Sequence, residues 1–114
     1  MGCEVPRSIE GAAHRFWKEQ LAERLRQRGF RVEVEKERNG KADLVASQFG
    51  RRIAVEIESG ESDFLGNLER DLQADFDEIV CVAVNREVKE KLARAIPQNS
   101  RIKLVLASEF SRTS

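Results

Sequence analysis

The stretch Asp43-Leu-Val-Ala-Ser-Gln-Phe-Gly-Arg-Arg-Ile-Ala-Val-Glu56-Ile-Glu58 decides how this 114-residue chain is read. Two extended runs flank Phe49-Gly50, which marks a tight turn between antiparallel strands. Side chains alternate along a strand, so Glu56 and Glu58 project to one side while Ile53, Val55 and Ile57 project to the other. A hairpin symmetric about Phe49-Gly50 places Asp43 directly opposite Glu56. Three acids then converge on one face, a crowding that a cation would make tolerable. The expectation is a divalent-metal site, whose commonest use is phosphodiester chemistry.

Outward from the hairpin, the remaining elements follow from periodicity. Upstream, Ser8 is a candidate cap for a helix with Ile9, Ala13, Phe16, Trp17, Leu21 and Leu25 at helical spacing, stopped by Gly29. Phe30, Val32 and Val34 alternate with charged residues as a half-buried strand, and Asn39-Gly40 reads as a turn. Strands are expected over about 42–47 and 51–59, completing an antiparallel meander. Downstream, Ser62 or Asp63 can cap a helix carrying Phe64, Leu65, Leu68 and Leu72 on one face. The unbroken apolar run Ile79–Val84 reads as a strand covered on both faces. Asn85 can cap a helix with Val88, Leu92, Ala95 and Ile96 inward, ended by Pro97. Ile102, Leu104 and Leu106 make a last strand, and Ser108 begins a short terminal turn. The order αβββαβαβ predicts one α/β domain over residues 1–114, with parallel crossovers in its second half.

Composition narrows the class. Hydrophobic residues make up 40% and charged residues 35% of the chain, with Lys+Arg and Asp+Glu equal at 20 each. A net charge of zero argues against indiscriminate coating of nucleic acid and leaves local basic patches to be judged separately. Such patches occur at Arg24–Arg31, at Lys36–Lys41 and at Arg51-Arg52. No apolar run approaches the roughly 20 residues of a membrane span. Cys3 and Cys81 cannot build a disulfide framework, and Cys81 reads as a small buried hydrophobe. A cytoplasmic protein without a membrane anchor is expected. Neither a complete phosphate-binding loop nor a supported nucleophilic cysteine is present.

The order αβββαβ, with an acid at the second strand and Glu56-Ile-Glu58 on the third, resembles the PD-(D/E)xK nuclease superfamily. That superfamily includes restriction enzymes and archaeal Holliday-junction resolvases. Val55-Glu-Ile-Glu-Ser-Gly-Glu-Ser-Asp63, followed by Asn67-Leu-Glu-Arg-Asp-Leu72, is similar to one plasmid and archaeal branch. In that branch the domain stands alone or is joined to ATPases of DNA transfer and processing. The resemblance spans about residues 9–84. It implies a restriction-endonuclease-like αβββαβ core, a mixed central sheet flanked by helices, with an additional αβ unit after it.

The resemblance also implies roles. Asp43 and Glu56 match the metal-binding acids, with the main-chain carbonyl of Ile57 as a further ligand for Mg²⁺ or Mn²⁺. Glu58 stands where the superfamily usually has its catalytic lysine, and some of its restriction enzymes carry Glu there and still cut. Glu58 is thus a candidate general base or second-metal ligand. Glu61 also stands where relatives often carry Lys. Glu10 is the candidate fourth acid, since resolvase-like members use a Glu from the first helix. His14 lies one turn later, and the branch has Glu directly before it where this chain has Ala13. Arg70 matches a basic position of the branch but reads as lying opposite Leu68 and Leu72. The implied activity is a metal-dependent DNA endonuclease. The alternative is a catalytically silent module that binds DNA, dimerises, or docks an ATPase partner, its DNA affinity resting on Arg24, Arg51 and Arg52.

Overall fold

A computed structural model describes residues 12–35, 42–60 and 63–112. Helix α1 covers Ala12–Gln27, and strands β1 (Arg31–Val34), β2 (Leu44–Gln48) and β3 (Arg51–Glu58) follow. Helix α2 (Phe64–Gln73), strand β4 (Glu78–Ala83), helix α3 (Arg86–Ala95), strand β5 (Ile102–Leu106) and helix α4 (Ala107–Arg112) complete the chain. The five strands form one sheet in the order β1-β2-β3-β4-β5. β1, β2 and β3 pair antiparallel, and β3, β4 and β5 pair parallel. The architecture is α/β: a mixed sheet with helices on both faces.

The turn geometry sets the register. Phe49 and Gly50 both have positive φ, 53° and 78°, the combination that lets a two-residue hairpin match the twist of its strands. Gln48 therefore pairs with Arg51, and the ladder runs to Leu44 opposite Val55. Along β3 the alternation then sorts residues between two cores. Val55 and Ile57 pack with Leu21, Ala22 and Leu25 of α1 and Ala107 of α4. Ala54 faces Phe64 and Leu68 of α2 and Val88 and Leu92 of α3. β4 contributes Val80 and Val82 to the first core and Ile79, Cys81 and Ala83 to the second, so its apolar run does not alternate.

Local signals account for the helix ends. Gly29, at φ 93°, terminates α1 with its N–H donating to the Arg26 carbonyl while that of Phe30 reaches Leu25. Asp63 caps α2 by accepting from the N–H of Gly66 at 3.2 Å, and Ser62 lies outside the described residues. Asn85 caps α3 by accepting from Val88 at 2.8 Å.

Three expectations need correction. Ala13 and Phe16 are exposed and His14 and Lys18 are buried, because the first half of α1 faces polar groups at the sheet end rather than the apolar core. Leu65 is 52% exposed and Ala95 is exposed, each lying off the stripe its helix presents to the sheet. The terminal turn at Ser108 is a six-residue helix. Ser8, Ile9, Glu10, Asn39-Gly40, Glu61 and Cys3 lie outside the described residues.

Candidate functional site

Asp43 precedes β2 by one residue and ties four elements together. Its Oδ2 accepts from the backbone N–H of Ile57 at 2.8 Å, and its carbonyl accepts from the N–H of Glu35 at 2.9 Å. His14 of α1, itself buried, brings Nε2 to 3.3 Å from Asp43 Oδ1. The paired ladder ends at Leu44 opposite Val55, and Asp43 sits at a bend just beyond it, its side chain turned to the Ile57 N–H rather than laid in register against Glu56.

Glu56 is 5% exposed and lies on the sheet face covered by α2 and α3. Asp71 of α2, 2% exposed, meets it there. The two carboxyls share a hydrogen bond, which needs a proton on one of them, and Glu56 carries it. Burial is the main cause: it pushes Glu56 far above the ordinary carboxylate range. The hydrogen bond to Asp71 and the charges of Asp71 and Asp43 push the same way, and Arg70 opposes them. Burial also raises Asp71, while its bond from Glu56 and the Arg70 charge pull it down. Glu56 Oε2 and Asp71 Oδ2 receive no hydrogen bond from any other donor.

Sequence reasoning missed Asp71. The signal was available: Phe64, Leu68 and Asp71 sit at i, i+4 and i+7, so an acid interrupts the apolar stripe of α2 on its buried side. His14, Lys18, Leu21 and Leu25 carry a similar signal on α1. The ammonium of buried Lys18 donates to the carbonyl of Glu35, beside the Asp43 end of the sheet. Arg70, exposed and hydrogen-bonded to Asn67 at 2.9 Å, points away from the core, yet its charge is felt by both Glu56 and Asp71.

Glu58 shares the face of Glu56 and is 2% exposed, but it is held elsewhere. Its Oε2 accepts from the N–H of Gly60 at 3.0 Å, a loop turned back by a φ of 100°. It also lines a pocket of about 250 Å³ with Asp63, Phe64 and Lys91. The expected convergence therefore pairs Glu56 with Asp71 and sets Glu58 toward α3. Among the described residues, no group of three His, Cys, Asp or Glu side chains is arranged to hold a metal ion as they stand. Cys81 pairs in register with Glu56, and burial pushes its thiol up to about 12, aided by the charges of Glu56, Asp71 and Glu58. Such a thiol is a poor nucleophile.

The arginines lie at the other end of the sheet. Arg51 pairs with Glu78 at 3.0 Å. Arg52 donates to the Asp75 carbonyl at 3.3 Å and stacks over the Phe76 ring at 4.7 Å. Arg51 thus ties β3 to the first residue of β4, and Arg52 braces the loop before it. Arg24 is half-buried near the end of α1. No helix among the described residues is long and apolar enough to cross a membrane.

No protein-family model, no curated protein and no solved structure matches this chain.

Proposed function

We propose that this domain is a divalent-metal-dependent deoxyribonuclease of PD-(D/E)xK type with a restriction-endonuclease-like core, acting on DNA. One observation carries the reading: a buried Glu56, next to Asp43 and Asp71, keeps a carboxylate oxygen without an outside donor. Burying carboxyls this close is costly unless a proton or a cation offsets their repulsion. The donor set is all oxygen, which suits Mg²⁺ or Mn²⁺. Asp43, Glu56 and the Ile57 carbonyl would hold the cation, and Asp71 adds a third carboxylate to the original set. A bound cation would supply the Lewis acidity that phosphodiester hydrolysis needs.

The chain's own groups have distinct tasks in this reading. Glu56 must release its proton for the anion to form, and Asp71 accepts the hydrogen bond until then. His14 and the Ile57 N–H fix the orientation of Asp43. Glu58, whose Oε2 accepts from the Gly60 N–H, would serve as base or second-metal ligand. Glu10, outside the described residues, stays a candidate fourth acid.

A second reading has its own observation. The usual lysine position holds Glu58, whose carboxylate is already hydrogen-bonded, and Glu56 and Asp71 satisfy each other without a cation. On that view the domain is a silent nuclease-fold module that binds DNA, pairs with a second copy, or docks a partner such as an ATPase. A cleavage assay in Mg²⁺ or Mn²⁺ on linear, branched and single-stranded DNA separates the two. The nuclease reading expects wild type to cut, Asp43→Ala and Glu58→Ala to abolish cutting, and Glu58→Lys to retain some activity. Intact DNA of every form with wild type in Mn²⁺ sinks it and leaves the silent module.

A further inference from the structure

The tip of the β2–β3 hairpin is built against the interest of the fold. Phe49 is 96% exposed, so its ring contributes almost no burial. It also sits at φ 53°, in the left-handed region that bulky residues avoid and where Asn or Gly is favoured. A residue that adds strain without packing is a reason to look for a ligand.

The surroundings indicate which one. Gln48, next to Phe49, donates from Nε2 to the Arg28 carbonyl at 3.2 Å, which draws the end of α1 to the hairpin. Arg31 pairs with Ser47, and Arg51 pairs with Gln48. Arg51 is engaged by Glu78, but exposed Arg31 has no acidic partner within ion-pair distance among the described residues. An exposed aromatic ring at the turn, with an exposed arginine paired in register to Ser47 two residues before it, matches the two needs of a nucleic-acid strand, a stacking surface for bases and a cation for phosphate.

We infer that the hairpin tip is a contact for an unpaired DNA base, with Phe49 stacking on the base and Arg31 holding a flanking phosphate. The inference rests on the DNA reading above but not on cleavage. Six residues separate Phe49 from Asp43, about 20 Å of extended chain. The stacked base therefore lies several nucleotides from the proposed cation site. The favoured substrate is then DNA with a single-stranded segment beside the site, rather than uninterrupted duplex.

The test is fluorescence anisotropy in EDTA, which removes any cleavage, with a labelled single strand, a gapped duplex and an intact duplex. Phe49→Asn keeps the turn and should fold at least as stably as wild type, checked by thermal melt. It should weaken binding to the single strand and gapped duplex about tenfold or more while leaving the salt dependence unchanged. Arg31→Ala should reduce the slope of log affinity against log salt by about 0.7 for a single strand. Equal affinity of wild type and Phe49→Asn overturns the inference and leaves DNA binding intact. Loss of a wild-type dimer in Phe49→Asn by sedimentation, with DNA affinity unchanged, overturns it in favour of a second copy at the tip. No binding by wild type overturns both this inference and the DNA reading. Phe49-dependent binding without cleavage in Mn²⁺ upholds the inference while the nuclease reading falls.

Discussion

Replacing Glu56 by Gln should stabilise the metal-free protein at neutral pH, although it alters one of the most buried polar groups. The folded state holds the Glu56 proton far above the ordinary range, mainly through burial, whereas the unfolded chain releases it near pH 4.5. Between those points the folded state binds the extra proton, so stability is full below about pH 4.5 and declines as pH rises. Each pH unit costs about 1.4 kcal/mol, and pH 7 lies about 2.5 units above the unfolded value, giving about 3 kcal/mol as an upper bound. Water entry and relaxation of Asp71 lower that figure. Gln carries a neutral amide that can donate to Asp71 as the protonated carboxyl does, so it avoids the cost. The assay is thermal melting in EDTA from pH 5 to pH 8. Wild type should lose melting temperature steadily with pH, and the variant should be much flatter. At roughly 4 °C per kcal/mol for a domain of this size, the two should diverge by up to about 12 °C at pH 7. A variant less stable than wild type at pH 8, or one with the same pH slope, would refute the proton-sharing account of Glu56 and Asp71.

Two further substitutions probe how the site is held. His14→Ala removes the partner of Asp43 Oδ1 and should cost about 1–2 kcal/mol in urea unfolding, with His14→Asn recovering part of it. Asp63→Ala removes the cap of α2, the helix that delivers Asp71, and should cost about 1 kcal/mol by the same measurement.

The sheet was legible because its signals are local. Phe49-Gly50 between alternating runs sets the hairpin register, and the apolar run around Cys81 has the composition of a strand buried on both faces. The caps at Asp63 and Asn85 were readable for the same reason, since each bonds an N–H three residues on. The site was half legible. The hairpin register brings Asp43 to the β3 backbone near Glu56, where its carboxylate accepts from the Ile57 N–H. Asp71 comes from a helix that packs across the sheet face, a tertiary contact that no spacing within β2 or β3 reveals. Next to exposed Arg70 it reads as an ordinary helix-surface acid unless the Phe64, Leu68, Asp71 stripe is drawn. Glu58 was misdirected by a similar limit. Alternation gives its face correctly, but the Gly60 backbone that captures it depends on a loop conformation at positive φ.

The most direct test of the central proposal, that Asp43, Glu56 and Asp71 close on a divalent cation when one is supplied, is a calorimetric titration of Mn²⁺ at pH 7. Wild type should bind one Mn²⁺ per domain, and Asp43→Ala and Glu56→Gln should each lose that binding while staying folded. An absence of Mn²⁺ binding by wild type, or binding that Glu56→Gln leaves unchanged, would contradict it.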